Sequence, residues 1–79
     1  DEIEKQCKVA LSKTDIGKVY FYMNEYLLSR ISYSEAMEIC ISLEQATGNE
    51  LYTDIIAFCR DWIDDIDQKL SSFTPTTFS

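Results

Sequence analysis

Histidine is absent from this 79-residue sequence, proline occurs once and glycine twice. Without histidine, the chain lacks the side chain that most often serves as a general base near neutral pH and as a zinc ligand. With so little glycine and proline, it has few positions for the tight turns of β-hairpins or for glycine-rich phosphate-binding loops. These shortages favour helices, and we expect an all-α protein.

Cysteine is also scarce. Cys7, Cys40 and Cys59 are odd in number and widely spaced, unlike the paired frameworks of small secreted domains. Each falls on the apolar stripe of a predicted helix, so we expect buried thiols and a cytoplasmic, reducing location. No apolar run approaches the length of about 18 residues that spans a membrane, and no membrane association is expected.

Helical periodicity predicts two helices in the first part of the chain, over residues 1–13 and about 15–29, with Ser12 or Thr14 as the cap between them. The second is apolar around most of its circumference. Its main predicted core stripe consists of Ile16, Val19, Tyr20, Met23 and Leu27.

Two further helices are predicted from residues that typically begin or end a helix. The sequence from Ser32 to Glu35 reads S-x-x-E, a capping box, and predicts a helix that begins near Tyr33. Gly48 offers the left-handed residue that often ends a helix, and Asn49 is a suitable cap for the next. We therefore expect a compact four-helix bundle over residues 1–70 and a flexible C-terminal tail over residues 71–79.

The negative charge is unevenly distributed. Residues 1–30 contain five acids and five bases, whereas residues 31–79 contain nine acids and two bases, so the net charge of −7 belongs to the second part. Aspartates crowd the end of the last predicted helix, where the helix dipole disfavours them. They form either a solvated face or a surface for a basic partner. The predicted partner-binding residues are Glu35, Glu38, Asp54, Asp61, Asp64, Asp65 and Asp67.

The aromatic residues of the second predicted helix suggest a different contact. Phe21, Tyr22 and Tyr26 are of the kind enriched at protein interfaces, and a homodimer is compatible with them. Packing inside a small bundle accounts for the same residues. Both interpretations remain open from the sequence.

The sequence offers little for catalysis or metal binding. The aspartate spacing D-x-x-D-D-x-D lacks the glycine and terminal glutamate of a calcium loop. We therefore expect a non-catalytic protein without metal or cofactor. The net charge of −7 also disfavours direct binding of nucleic-acid phosphates.

One segment carries a family resemblance. Residues 26–40, YLLSRISYSEAMEIC, resemble the first helix junction of colicin D-type immunity proteins, which are small acidic helical inhibitors of tRNA-cleaving toxins. The resemblance implies that acidic residues cover a basic surface, and it assigns no individual inhibitory residue. The matching positions are Leu27, Leu28, Arg30, Ile31, Ser32, Glu35 and Cys40.

Three functions follow as hypotheses. The first is an inhibitor or immunity-type protein that covers a basic surface of a toxin or nucleic-acid-binding protein. The alternatives are a helical oligomerisation or adaptor module and a regulatory domain of a longer protein.

Overall fold

The computed structural model describes residues 1–73, which form three α-helices and no strand. The helices are α1 (Glu2–Tyr22), α2 (Tyr26–Thr47) and α3 (Glu50–Phe73). The all-α class is confirmed, but the prediction of four helices is wrong. Residues 71–73 of the predicted tail belong to α3, and its remainder, residues 74–79, lies outside the described residues.

The predicted break near Thr14 does not exist, because α1 is continuous. The Thr14 hydroxyl donates a hydrogen bond of 2.6 Å to the Leu11 carbonyl, so it bonds back into its own helix instead of capping a new one. The chain turns at Asn24, which adopts a left-handed conformation with φ 64°. Asparagine tolerates this conformation better than most residues, which allows the turn without glycine.

The capping box is also wrong as a helix start. Ser32 and Tyr33 are buried in the middle of α2. The Glu35 carboxylate does not bond back to the amide of Ser32 and instead accepts a hydrogen bond of 3.1 Å from Lys13 Nζ on α1. Serine and glutamate are both tolerated inside a helix, so tertiary packing overrides the local signal.

The next two terminal signals are confirmed. Gly48 ends α2 in the left-handed region with φ 68°, and its amide donates to the Glu44 carbonyl. The Asn49 side chain accepts a hydrogen bond of 2.9 Å from the amide of Leu51 and so caps α3.

Helix α2 is the central element and packs against both α1 and α3, whose direct contact with each other is sparser. The short turns make each neighbouring pair antiparallel. The buried residues of the core are Ala10, Tyr33, Ala36, Cys40, Leu43, Tyr52, Cys59, Ile63 and Ile66.

The contact between α1 and α2 is made through small residues. Ala10, Thr14 and Gly17 are the buried residues of α1. The Ser29 hydroxyl of α2 donates a hydrogen bond of 2.6 Å to the Gly17 carbonyl, and the ring of Tyr33 lies directly on Gly17. The small residues of α1 thus leave room for the Tyr33 ring and let the Ser29 hydroxyl reach the backbone of α1.

The core stripe predicted for residues 16–27 is therefore wrong. Ile16, Val19, Met23 and Leu27 are 48%, 57%, 60% and 66% exposed. Residues two positions apart are about 200° apart around a helix. The exposed stripe residues of α1 follow its small buried residues by two positions, so they lie on the side of α1 opposite to α2. Tyr20 is partly buried.

Candidate functional site

An acidic face runs along the outer side of α3. We define it by the exposed side chains of Asp54, Asp61, Asp64 and Asp65. Asp61 lies about 200° around the helix from the buried Ile63, so it points away from the core. Within residues 1–73, none of the four aspartates forms an ion pair. Their charges are therefore available to another molecule.

Asp67, which the sequence placed with this group, has a different role. Its carboxylate accepts two hydrogen bonds from Arg30 of α2, at 2.7 Å from Nε and 3.3 Å from Nη2. The bonds to the guanidinium lower the pKa of Asp67, and the same contact raises the pKa of Arg30. Both side chains remain almost half exposed, so this pair is a surface link between α2 and α3.

The two predicted glutamates of α2 are in different surroundings. Glu35 is paired with Lys13 of α1. Glu38 is exposed, and within residues 1–73 it has no ion pair. Both line a shallow depression on α2 together with the exposed Leu27 and Ile31. This side of α2 therefore combines carboxylates with apolar side chains.

The predicted interface aromatics are largely engaged inside the protein. The Phe21 ring is half-buried and lies edge-to-face with Trp62 of α3, with 5.0 Å between ring centroids. The Tyr26 hydroxyl donates a hydrogen bond of 2.9 Å to the side chain of Asn24, which supports the turn. Tyr22 is 69% exposed and remains the one member of this set that offers most of its surface to a partner.

The three cysteines come from three different helices. Cys40 and Cys59 are buried, which agrees with the prediction, and Cys7 is half-buried. Burial raises the pKa of Cys40, with a smaller contribution from Cys7. Burial and the neighbouring Cys40 raise the pKa of Cys59 to about 11. Both buried groups are therefore thiols at neutral pH, which makes them poor nucleophiles.

The contacts of Tyr33 are the feature that the sequence did not predict. Tyr33 was expected on the apolar side of a helix that begins near it, whereas it lies inside α2, where its side chain is fully buried and stacks on Trp62 with 5.3 Å between ring centroids. Its hydroxyl has no hydrogen-bond partner among the described residues. Burial is the main cause of its raised pKa. The helical spacing of the apolar residues marks Tyr33, but no sequence signal shows that its ring packs between Gly17 and Trp62.

The described residues form neither a metal centre nor a membrane-spanning helix. Across residues 1–73, no group of three acidic or cysteine side chains is arranged to hold a metal ion. In the same range, no helix has the length and apolar character needed to cross a membrane. Comparison with known protein families, curated proteins and solved structures finds no match for the chain.

Proposed function

We propose that this protein is a non-catalytic binding domain that covers a basic surface of another protein with the carboxylates of α2 and α3. The single observation that supports this best is the acidic face of α3, whose four exposed aspartates have no ion-pair partner within residues 1–73. An inhibitor of a toxin or of a nucleic-acid-binding protein is the specific form that we propose.

Intrahelical stability does not account for this face. Asp61 lies at the middle of α3, and Asp64 and Asp65 lie in its second half, so none of the three is in the first turn, where the helix dipole favours an acid. Aspartate also has a low helix propensity, so each such residue costs up to about 0.7 kcal/mol relative to alanine. Recognition of a basic surface gives these residues a role that helix stability does not.

Helix α2 supplies the apolar component that a protein interface needs. Leu27 and Ile31 are 66% and 54% exposed and line the same depression as Glu35 and Glu38. Apolar side chains surrounded by charged groups are the usual arrangement of a binding surface, in which the charges guide association and the apolar groups stabilise the complex.

The resemblance to colicin D-type immunity proteins gives only general support. Residues 26–40 form one uninterrupted part of α2, without a helix junction. The proposal therefore depends on the charge of the surface, and the resemblance adds no specific residue.

Binding at two ionic strengths tests the proposal. The immobilised protein should retain a basic protein at about 0.05 M salt and release it at about 0.5 M, because the screening length falls from about 14 Å to about 4 Å. Replacement of the four aspartates of the acidic face by asparagine should abolish retention while the helical circular dichroism is preserved.

A control variant with the same net charge makes this test specific. Glu2, Glu4, Asp15 and Glu25 are exposed acids outside α2 and α3, and their replacement by the matching amides also removes four negative charges. This variant should keep the partner. Equal loss of binding in both variants, or retention that is indifferent to salt, would contradict the proposal.

A further inference from the structure

Helix α1 carries an apolar stripe that nothing in the described part of the chain covers. We define the α1 stripe as Val9, Ile16, Val19 and Met23, which are 38%, 48%, 57% and 60% exposed. With Ser12, these residues are spaced by three or four positions, as in the seam of a coiled coil. The spacing places them along one side of α1 for about four turns.

Within residues 1–73, the stripe is not part of the core. Ala10, Thr14 and Gly17 bring the opposite side of α1 against α2, and α3 packs on α2. Among residues 1–73, the face of α1 made of small residues is occupied by α2, whereas the stripe on the opposite side is exposed. Exposed apolar residues grouped along one side of a small protein are typical of a contact site.

The charge distribution of the chain indicates whether a basic protein or a second copy of the chain binds to this stripe. Residues 1–30, which include all of α1, have five acids and five bases, whereas residues 31–79 carry the whole net charge of −7. A basic protein is therefore attracted to α2 and α3 more than to α1. Two copies of this chain repel each other through α2 and α3, and α1 is the helix through which they can meet without an excess of like charge.

The borders of the stripe agree with such a contact. Lys8 and Asp15 lie beside it, so one charge of each sign borders the stripe. We infer that a second copy of the chain docks on the α1 stripe and forms a symmetric dimer in which α1 packs against the partner's α1. The same patch then serves both copies, as two-fold symmetry requires.

The inference does not depend on the proposed function, and salt separates the two. The dimer contact is apolar and lies on α1, which together with its cap Asp1 has four acids and four bases. About 0.5 M salt should therefore leave the dimer unchanged or strengthen it by screening the repulsion between the acidic parts. The same salt should release a basic partner. Each proposal can therefore fail while the other stands.

Sedimentation equilibrium between about 1 μM and about 1 mM, a range that covers weak and moderate affinities, provides the test. The expected result is a shift from the 9.2 kDa monomer to a dimer as the concentration rises. The double variant Ile16→Lys, Val19→Glu introduces one charge of each sign, preserves the net charge and should weaken dimerisation at least about tenfold.

An equally exposed leucine provides the matched control. Leu51 of α3 is 51% exposed, and Leu51→Glu should leave dimerisation within about threefold of the unmodified protein, because one added charge on an acidic helix changes long-range repulsion only slightly. Circular dichroism checks that both variants are folded. A monomer at every concentration would overturn the inference. So would a dimer that survives the double change in α1 or that is lost in the Leu51 variant.

Discussion

Tyr33 of α2 packs directly on Gly17 of α1, and a Cβ atom at Gly17 would lie 2.8 Å from two carbon atoms of the Tyr33 ring. Trp62 of α3 stacks on the same ring with 5.3 Å between centroids and an angle of 9° between the ring planes. The ring therefore fills the space between the two outer helices, and it cannot move away from α1 without displacing Trp62.

Gly17→Ala should destabilise the protein. Alanine is favoured over glycine inside a helix by about 1 kcal/mol, but overpacking against a confined ring costs about 1–3 kcal/mol. We expect a net loss of up to about 2 kcal/mol in the free energy of unfolding, measured by urea denaturation. Ser12→Ala at an exposed position of α1 should instead be neutral or slightly stabilising. An increased free energy of unfolding for Gly17→Ala would show that the Tyr33 ring can move away from α1.

Tyr33→Phe should be neutral or stabilising by up to about 1 kcal/mol. The hydroxyl is buried and has no partner among the described residues, so its removal relieves a desolvation penalty. Tyr26→Phe is the control, because it removes a hydrogen bond to Asn24 and should cost about 0.5–1.5 kcal/mol. Urea denaturation measures both changes. A loss above about 1 kcal/mol for Tyr33→Phe would indicate that a bound water satisfies the hydroxyl.

Alkylation should distinguish the cysteines in the folded protein. Cys7 is half-buried and should react first with iodoacetamide, whereas Cys40 and Cys59 should react appreciably only after denaturation. The pKa of Cys59 is raised from 9.0 to about 11, which reduces its thiolate fraction at neutral pH by about 100-fold in addition to its steric protection. Mass spectrometry of the labelled peptides measures the order. Equal rates for Cys7 and Cys59 in the native protein would contradict the helix packing.

The raised pKa of Cys59 also makes the free energy of unfolding depend on pH in the alkaline range. Because the folded-state pKa of Cys59 lies above its unfolded value, the unfolded chain loses its proton first as the pH rises. The free energy of unfolding should therefore fall between about pH 9 and about pH 11, and more slowly in a Cys59→Ala variant. Denaturation at several pH values checks the difference in slope, and identical slopes would exclude a contribution from this thiol.

Ser34→Pro tests the continuity of α2. Proline inside a helix removes a hydrogen bond, clashes with the preceding turn and costs about 3 kcal/mol or more, whereas it is tolerated in the first turn. Ser34 is in the interior of α2, so this variant should be severely destabilised. Glu50→Pro places proline at the first position of α3 and should change stability little. Near-native stability of Ser34→Pro would instead support the hypothesis that a helix begins near Tyr33, as the capping box suggested.

The part of the fold that could be predicted is the part with strong local signals. Gly48 and Asn49 mark the end of α2 and the start of α3 because a left-handed residue and a side-chain cap are set by the nearest few residues. Helical spacing in the sequence also predicts one apolar stripe on α3, and two of its members, Ile63 and Ile66, are in the core. The predicted stripe consists of Leu51, Ile55, Phe58, Cys59, Trp62, Ile63, Ile66 and Leu70. The pattern was less reliable at Phe58, which is 48% exposed.

The errors arose where tertiary packing opposes the local pattern. Hydrophobic periodicity gives the greatest weight to large apolar residues, and α1 has such residues at Ile16 and Val19 on its outer side. Its packing face is marked only by Ala10 and Gly17, whose small side chains give a weak signal. The spacing of the aspartates of α3 predicted its acidic face. It did not predict that Asp67 pairs with Arg30. That pair joins residues 37 positions apart.

The position of Tyr33 links the packing of α1 to that of α3. The ring touches Gly17 on one side and Trp62 on the other, so a shift of α3 that moves Trp62 also disturbs the seat of α1. If a molecule binds a shifted α3 more tightly, we expect it to change the affinity of contacts made by α1, and thermodynamic linkage makes the reverse effect equally large. One aromatic ring thus contacts both outer helices.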